Sequence, residues 1–313
     1  MKTTETNPIV YCGVDVSKTF LDVDGLDKPM RFANAAEGLA LLLKSLPAGA
    51  HLVCEASGGY ERDLCAAAWA AQRPVSVVSP SRIRAYARSR GQLAKTDRLD
   101  AAVLTAYGRE RQPAAAPAPE PTRSQLKALL RAREHVLSMQ RLEQNHREHL
   151  AGVALLREQS DERLRGFAGQ LAALEKAIRD LVASNLCASE QTGRMRQVRG
   201  VGEITAWTLW ADLPEIGTLG PGQPAAICGL APYARDSGLY QGARHISHGR
   251  ARLRRVLYMA AVTASQHNPI LKAVYQRLRQ KGKSAKVALL ALARKLIELL
   301  NLLLKNPNFR LAA

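Results

Sequence analysis

The chain is short of acids and of aromatic residues: 27 Asp and Glu stand against 45 Lys and Arg, and Phe, Tyr and Trp make up only 5% of it. The acid deficit leaves a formal charge of +18, unevenly spread. From Gln241 to Ala313 fifteen Lys or Arg face a single acid, Glu298. Charge this concentrated costs self-repulsion that solubility does not require, so it favours a polyanionic partner, nucleic acid well ahead of an anionic membrane. With so few aromatics, Trp207 and Trp210 are expected in the core, although Tyr233, Tyr240 and Tyr258 could stack on bases.

Metal-type cysteine spacing is also missing. Cys12, Cys54, Cys65, Cys187 and Cys228 show no CxxC or other metal-like spacing, are odd in number and mostly sit within apolar runs, which argues against a disulfide framework or a thiolate zinc site. Buried free thiols in a reducing cytoplasm are expected. The N-terminus MKTTETNPIV has no apolar signal run. The most apolar late stretch, VALLALARKLIELLNLLL, is interrupted by Arg294, Lys295 and Glu298, so it reads as a packed helix and not a membrane span. A cytoplasmic protein without membrane partners is expected.

What is present begins with alternation. IVYCGVDV, TFLDVDGL and KPMRFAN read as strands, EGLALLLKSL as a helix, HLVCEAS as a strand, GYERDLCAAAWAAQ as a helix, PVSVVSP as a strand and DRLDAAVLTAYGRE as a helix. Strands that pair early and then alternate with helices predict a mixed α/β sheet over residues 1–111. QPAAAPAPEPT predicts an extended, semi-rigid linker over 112–122, with a capping-box-like helix start at Thr122 and Gln125. Residues 123–190 read as a helical hairpin or coiled coil. Leu164, Phe167, Leu171, Leu174, Ile178 and Leu181 recur at seam spacing, and packing within the subunit explains them about as well as dimerisation. Residues 191–313 read as a mainly α-helical domain that opens on a helix–turn–helix around Gly200 and Gly202. That turn could present N–H groups to a phosphate or could simply join two helices.

Four carboxylates carry the chemistry. Asp15 and Glu55 close apolar strand-like runs, while Asp97 and Asp100 lie three residues apart on a helix and so share a face. Convergence of such groups would be repulsive unless divalent cations filled the gap. Oxygen ligands suit Mg²⁺ or Mn²⁺, and paired ions of this type serve phosphodiester chemistry. Asp97 could instead cap its helix. Asp22, Asp24 and Asp27 fit solvent-facing or turn positions. Lys95 and Arg98 beside the helical pair suit a phosphate backbone. Arg250, Arg252, Arg254 and Arg255 follow one another too closely around a helix for all to face a core, so phosphate contact is weighed against a solvated basic face.

Taken in order, the blocks GVDVSK, CEASGGYE, VVSPSRIRAYARSRG, AKTDRLDA, RGVGEITA, GLAPYARDSG, HISHGRARLRR and YMAAVTA resemble the DEDD transposases of the insertion-sequence-110 family and the related Piv-type DNA invertases. The resemblance runs from about residue 9 to about residue 275. It implies a RuvC-like domain of RNase H topology in which Asp15, Glu55, Asp97 and Asp100 bind metal. It also implies a C-terminal transposase domain with a nucleophilic serine, Ser237 first and Ser247 second, the latter otherwise a nucleic-acid contact. DNA donor and target, a structured guide RNA and a homo-oligomer are the implied partners. His248 stands where the family block has lysine. The competing readings are a metal-dependent nuclease or junction resolvase that makes no covalent adduct, and a non-catalytic RNA- or DNA-binding protein.

Overall fold

The computed structural model describes residues 9–92, 97–150, 152–234, 236–237, 240–242 and 244–309, the side chains of 97–99, 237, 240 and 241 excepted. Two compact units divide it, residues 1–118 and residues 119–313.

Unit 1 is a mixed five-stranded sheet with helices on both faces. β1 (Tyr11–Val16), β2 (Phe20–Asp24) and β3 (Met30–Ala33) form an antiparallel meander. α1 (Ala36–Ser45) leads to β4 (His51–Glu55), and α2 (Glu61–Ala70) leads to β5 (Val75–Val78). β4 lies parallel to β1 and β5 parallel to β4, giving the order β3-β2-β1-β4-β5. Alternation sorts the side chains. Cys12, Val14, Leu52 and Cys54 pack under α1 and α2, while Tyr11, Val53 and Val78 pack under α3 (Pro80–Ser89) and α4 (Asp97–Arg111).

The Pro/Ala-rich segment is not a free spacer in its first half. Ala116 N–H donates to the Val75 carbonyl at 2.8 Å, Trp69 Nε1 donates to the Ala116 carbonyl at 3.0 Å, and Ser76 Oγ donates to the Ala114 carbonyl at 2.8 Å. With its proton so used, Ser76 accepts at 2.8 Å from Nε2 of His51, which stacks on Tyr11. Burial lowers the His51 pKa and keeps that imidazole neutral. The segment thus covers part of the edge of β5, which would otherwise expose unpaired backbone groups.

The first helix of unit 2 is capped two residues earlier than expected, at Glu120 and not Thr122. α5 (Pro121–Glu148) opens on proline, which needs no N–H at that position, and the Glu120 carboxylate accepts from the backbone N–H of Thr122 and Arg123 at 3.1 and 2.8 Å. Thr122 does not cap; its hydroxyl accepts from Asn185 at 3.1 Å. α6 (Ala154–Ser184) returns antiparallel, pinned by Arg133–Glu175 at 2.7 Å, Arg163–Glu143 at 2.9 Å and Arg147–Asp161 at 2.7 Å. Of the seam residues Ile178 is buried, whereas Leu164, Phe167, Leu171, Leu174 and Leu181 are half-buried. Leu126, Leu130 and Ile178 share one core with the later helices, so hairpin and C-terminal region form one unit.

α7 (Leu186–Arg196) and α8 (Glu203–Asp212) flank the Gly200–Gly202 turn, and α9 (Gln223–Ile227) follows. Four two-residue strands come next: β6 (Pro232–Tyr233), β7 (Asp236–Ser237), β8 (Tyr240–Gln241) and β9 (His245–Ile246). β6 pairs with β9 and β7 with β8, one hairpin nested inside the other. α10 (Ala251–His267), α11 (Pro269–Gln280) and α12 (Ala285–Lys305) complete the unit. Among the described residues no helix is long and apolar enough to cross a membrane.

Four of the five cysteines are buried and Cys187 is exposed. Burial pushes the Cys12 thiol up to about 11 and the Cys228 thiol up to about 12, so neither is a thiolate near neutrality. A thiol reagent at mildly alkaline pH should therefore modify one residue, Cys187, in the native protein and all five in denaturant. Fast native labelling at a second position, read by peptide mass mapping, would contradict this burial.

Candidate active site and nucleic-acid interface

Close approach of backbone to backbone builds the carboxylate site. Gly13 on β1 lies so near α4 that a Cβ there would sit 2.5 Å from the Thr105 nitrogen and 2.8 Å from the Leu104 Cβ. Its N–H donates to Thr105 Oγ1 at 2.9 Å. At one end of this contact, Tyr11 packs where a Cβ on Gly108 would meet it. From Tyr11 to Gly13 along β1, the facing residue moves back along α4 from Gly108 to the Ala101–Thr105 turn. Asp15, two residues further on the same face, therefore stands beside the first turn of α4, which holds Asp97 and Asp100.

Glu55 joins them through the sheet. The parallel register pairs Gly13 with Val53 and Val14 with Cys54, so one further step sets Asp15 beside Glu55, the last residue of β4. Val53 faces α3 and α4, and Glu55 shares its face. Asp15, Glu55 and Asp100 are each partly accessible. The Asp97 and Arg98 side chains and all of Lys95 lie outside the described residues. Within the described residues no three His, Cys, Asp or Glu side chains are gathered tightly enough to cage an ion.

Asp22 departs from its expected turn or solvent-facing role. It lies directly opposite Asp15 on one side and Arg31 on the other, is only 8% exposed, and holds Arg31 by two bonds of 2.9 Å. Arg31 also sits over the Phe20 ring, 5.2 Å from its centroid. The sequence alone does not show this row, because strand TFLDVDGL offers no cue to which of its acids meets a cation on the neighbouring strand.

In unit 2, Ser237 lies on β7 opposite Tyr240, and Asp236 accepts from the Gly242 N–H at 3.1 Å. Ser247 is half-buried just after β9. Gly200 is tied to packing: at φ +105 its missing Cβ would lie 2.6 Å from that of Ala264 on α10. Gly202 is the N-cap of α8 with open space around it.

The four arginines divide. Arg252, 16% exposed, bonds Asp212 on α8 and Glu134 on α5, the latter at 3.0 Å. Arg250 grips Glu215 at 2.7 and 3.0 Å and donates to the Asp212 carbonyl at 2.7 Å. Arg254 donates to the carbonyls of His248 and Gly229 at 2.8 and 3.3 Å. Arg255 is 66% exposed and touches Glu134 at 3.1 Å. Lys127 adds a 3.2 Å pair to Asp212. Three of these arginines chiefly lock α10 to α5, α8 and the loop before α10, and Arg255 alone offers most of its charge to solvent.

Comparison with known proteins supplies the class: the chain is a transposase of the kind that recombines DNA. Residues 12–154 match a DEDD-type IS110 transposase family model, and residues 193–276 match one described as the transposase IS116/IS110/IS902 family. The chain belongs to this IS110 family of transposases. It is 27% identical over 301 residues to the pilin gene-inverting protein of Moraxella lacunata, covering 92% of this chain and 93% of that one. The pilin gene-inverting protein of Moraxella bovis matches equally. The insertion element IS110 uncharacterized 43.6 kDa protein of Streptomyces coelicolor is 34% identical over 113 residues, 35% of this chain and 28% of that one.

Proposed function

We propose that the protein cuts and rejoins DNA through a serine-linked intermediate, using divalent cations held by Asp15, Glu55, Asp97 and Asp100 and directed by a structured guide RNA. What supports it is the parallel register that leads to Asp15 beside Glu55, together with the close approach of β1 to α4 at Gly13. Strand order β3-β2-β1-β4-β5, three antiparallel and then two parallel, supports a RuvC-like unit of RNase H topology. The donor set is all oxygen, which fits Mg²⁺ or Mn²⁺. Such ions, when bound, stabilise charge on the attacking and leaving oxygens of phosphoryl transfer.

Ser237 is the nucleophile in this reading and Ser247 the alternative. A serine hydroxyl needs a proton acceptor, and a carboxylate of the cluster can serve. Lys95, Arg98, Arg255 and the helix-turn segment at Gly200 and Gly202 take backbone phosphates. Arg250, Arg252 and Arg254 support that surface through the contacts described. The protein works in the cytoplasm as a homo-oligomer in which the acid cluster of one subunit and the serine of another complete each site.

Mixing tests the shared site. Ser237→Ala and Asp15→Ala proteins should each be inactive on DNA flanking the gene, and a mixture should regain a measurable fraction of strand exchange. A dead mixture of folded proteins rules out sites shared between subunits. Absence of any divalent-dependent protein–DNA adduct in the unmutated protein rules out the covalent step.

A further inference from the structure

Among the described residues, nothing balances the charge that α3 carries. It buries Ile83 and Tyr86 and leaves Arg82, Arg84 and Arg88 exposed. Among the described residues none of these three meets a carboxylate, in contrast to Arg90 just beyond, which bonds Glu110 and the Tyr86 hydroxyl at 3.0 Å each. A merely solubilising surface is better served by mixed signs, and the described residues of this face carry only one. Its position adds to the case. α3 starts directly after β5, whose last residue, Val78, is paired with Glu55, so the first turn of the helix lies at the carboxylate edge. A cleft of about 460 Å³ opens beside Ser79 and Arg82 and runs to Tyr107, Arg111 and Gln112.

We propose that this face of α3 is a binding surface for the phosphate backbone of the DNA strand that enters the carboxylate edge. Arg82 stands at the edge, and Arg84 and Arg88 are one turn apart behind it. Each guanidinium presents a fork of donors suited to phosphate oxygens, a contact that fixes register without reading sequence. The choice of DNA as the polyanion rests on the strand-exchange reading above; the charge and placement of the surface do not.

The test is binding of the full chain to a short random-sequence DNA duplex, without divalent ions, across a KCl series. Arg82→Gln/Arg84→Gln/Arg88→Gln should make the slope of log affinity against log salt shallower by about 2–3, because each lost phosphate contact removes about 0.9. A control, Lys28→Gln/Lys44→Gln/Arg73→Gln, removes the same charge from α1 and two turns and should change the slope by less than about 1. Unchanged unfolding midpoints for both confirm intact folds. A slope change no larger than the control's overturns the proposal. So does lost affinity for a structured RNA hairpin with the DNA slope unaltered. If the slope falls as expected while the unmutated protein never exchanges strands, the surface stands and the reaction reading fails.

Discussion

Gly13→Ala should reduce strand exchange by about 100-fold or more while leaving the protein able to fold. The added Cβ would lie 2.5 Å from the Thr105 nitrogen, 2.8 Å from the Leu104 Cβ and closer still to the Ala101 carbonyl. These are helix backbone atoms and a side chain fixed in the core, so no flexible group can yield. α4 must retreat from β1, and it carries Asp97 and Asp100 away from Asp15 and Glu55. Displacements of about 1 Å are enough for losses of that size. Overpacking of this kind costs about 1–3 kcal/mol, and lengthening the Gly13–Thr105 hydrogen bond adds to it. Gly49 supplies the comparison: it has φ +71 but nothing within 4 Å of an added Cβ. Gly49→Ala should cost about 1 kcal/mol of strain and leave activity intact. Equal activity in the two variants at matched folded fraction, measured by strand exchange and by urea unfolding, would refute the role given to this contact.

The same contact shows why part of the site could be read early. Strand periodicity sets Tyr11, Gly13 and Asp15 on one face, and the block AKTDRLDA supplies the facing acids, so pattern and motif agree. α3 was less legible. PSRIRAYARS buries only Ile83 and Tyr86, too few apolar residues to reveal a helical stripe. The Asp22–Arg31 pair depends on strand register, which no local pattern fixes. For Arg252, partners 40 and 118 positions away decide its environment. Spacing on α10 shows that some of the four arginines must turn outward but not which. Glu120 replaced Thr122 as the cap because the proline after it already held the right φ.

If Ser237 acts as proposed, a second glycine contact should matter as much to the reaction as the first. The nested hairpins of β6–β9 are closed where the chain re-enters α10, and there Gly249 crosses Gly229. Both have positive φ, +69 and +67, and a Cβ on Gly249 would lie 2.5 Å from the Gly229 Cα and 2.7 Å from the Ile227 carbonyl oxygen. Arg250 N–H donates to that same carbonyl at 2.8 Å, and Arg254 ties the loop by its bonds to Gly229 and His248. Alanine at 249 meets left-handed strain of about 1–3 kcal/mol together with a backbone clash that must break the Arg250 bond. Gly249→Ala should therefore destabilise unit 2 by about 3–5 kcal/mol. Because the crossing closes the base of the outer β6–β9 pair, inside which the β7–β8 hairpin with the proposed nucleophile Ser237 lies, adduct formation should be lost even where the variant is fully folded. His248 has φ +58 and is exposed, with its ring 6.3 Å from that of Tyr233. His248→Asn, a residue that tolerates this backbone, should be nearly neutral in stability. A Gly249→Ala protein as stable as the His248→Asn protein in urea, with full adduct yield, would mean that the crossing does not hold the serine in place.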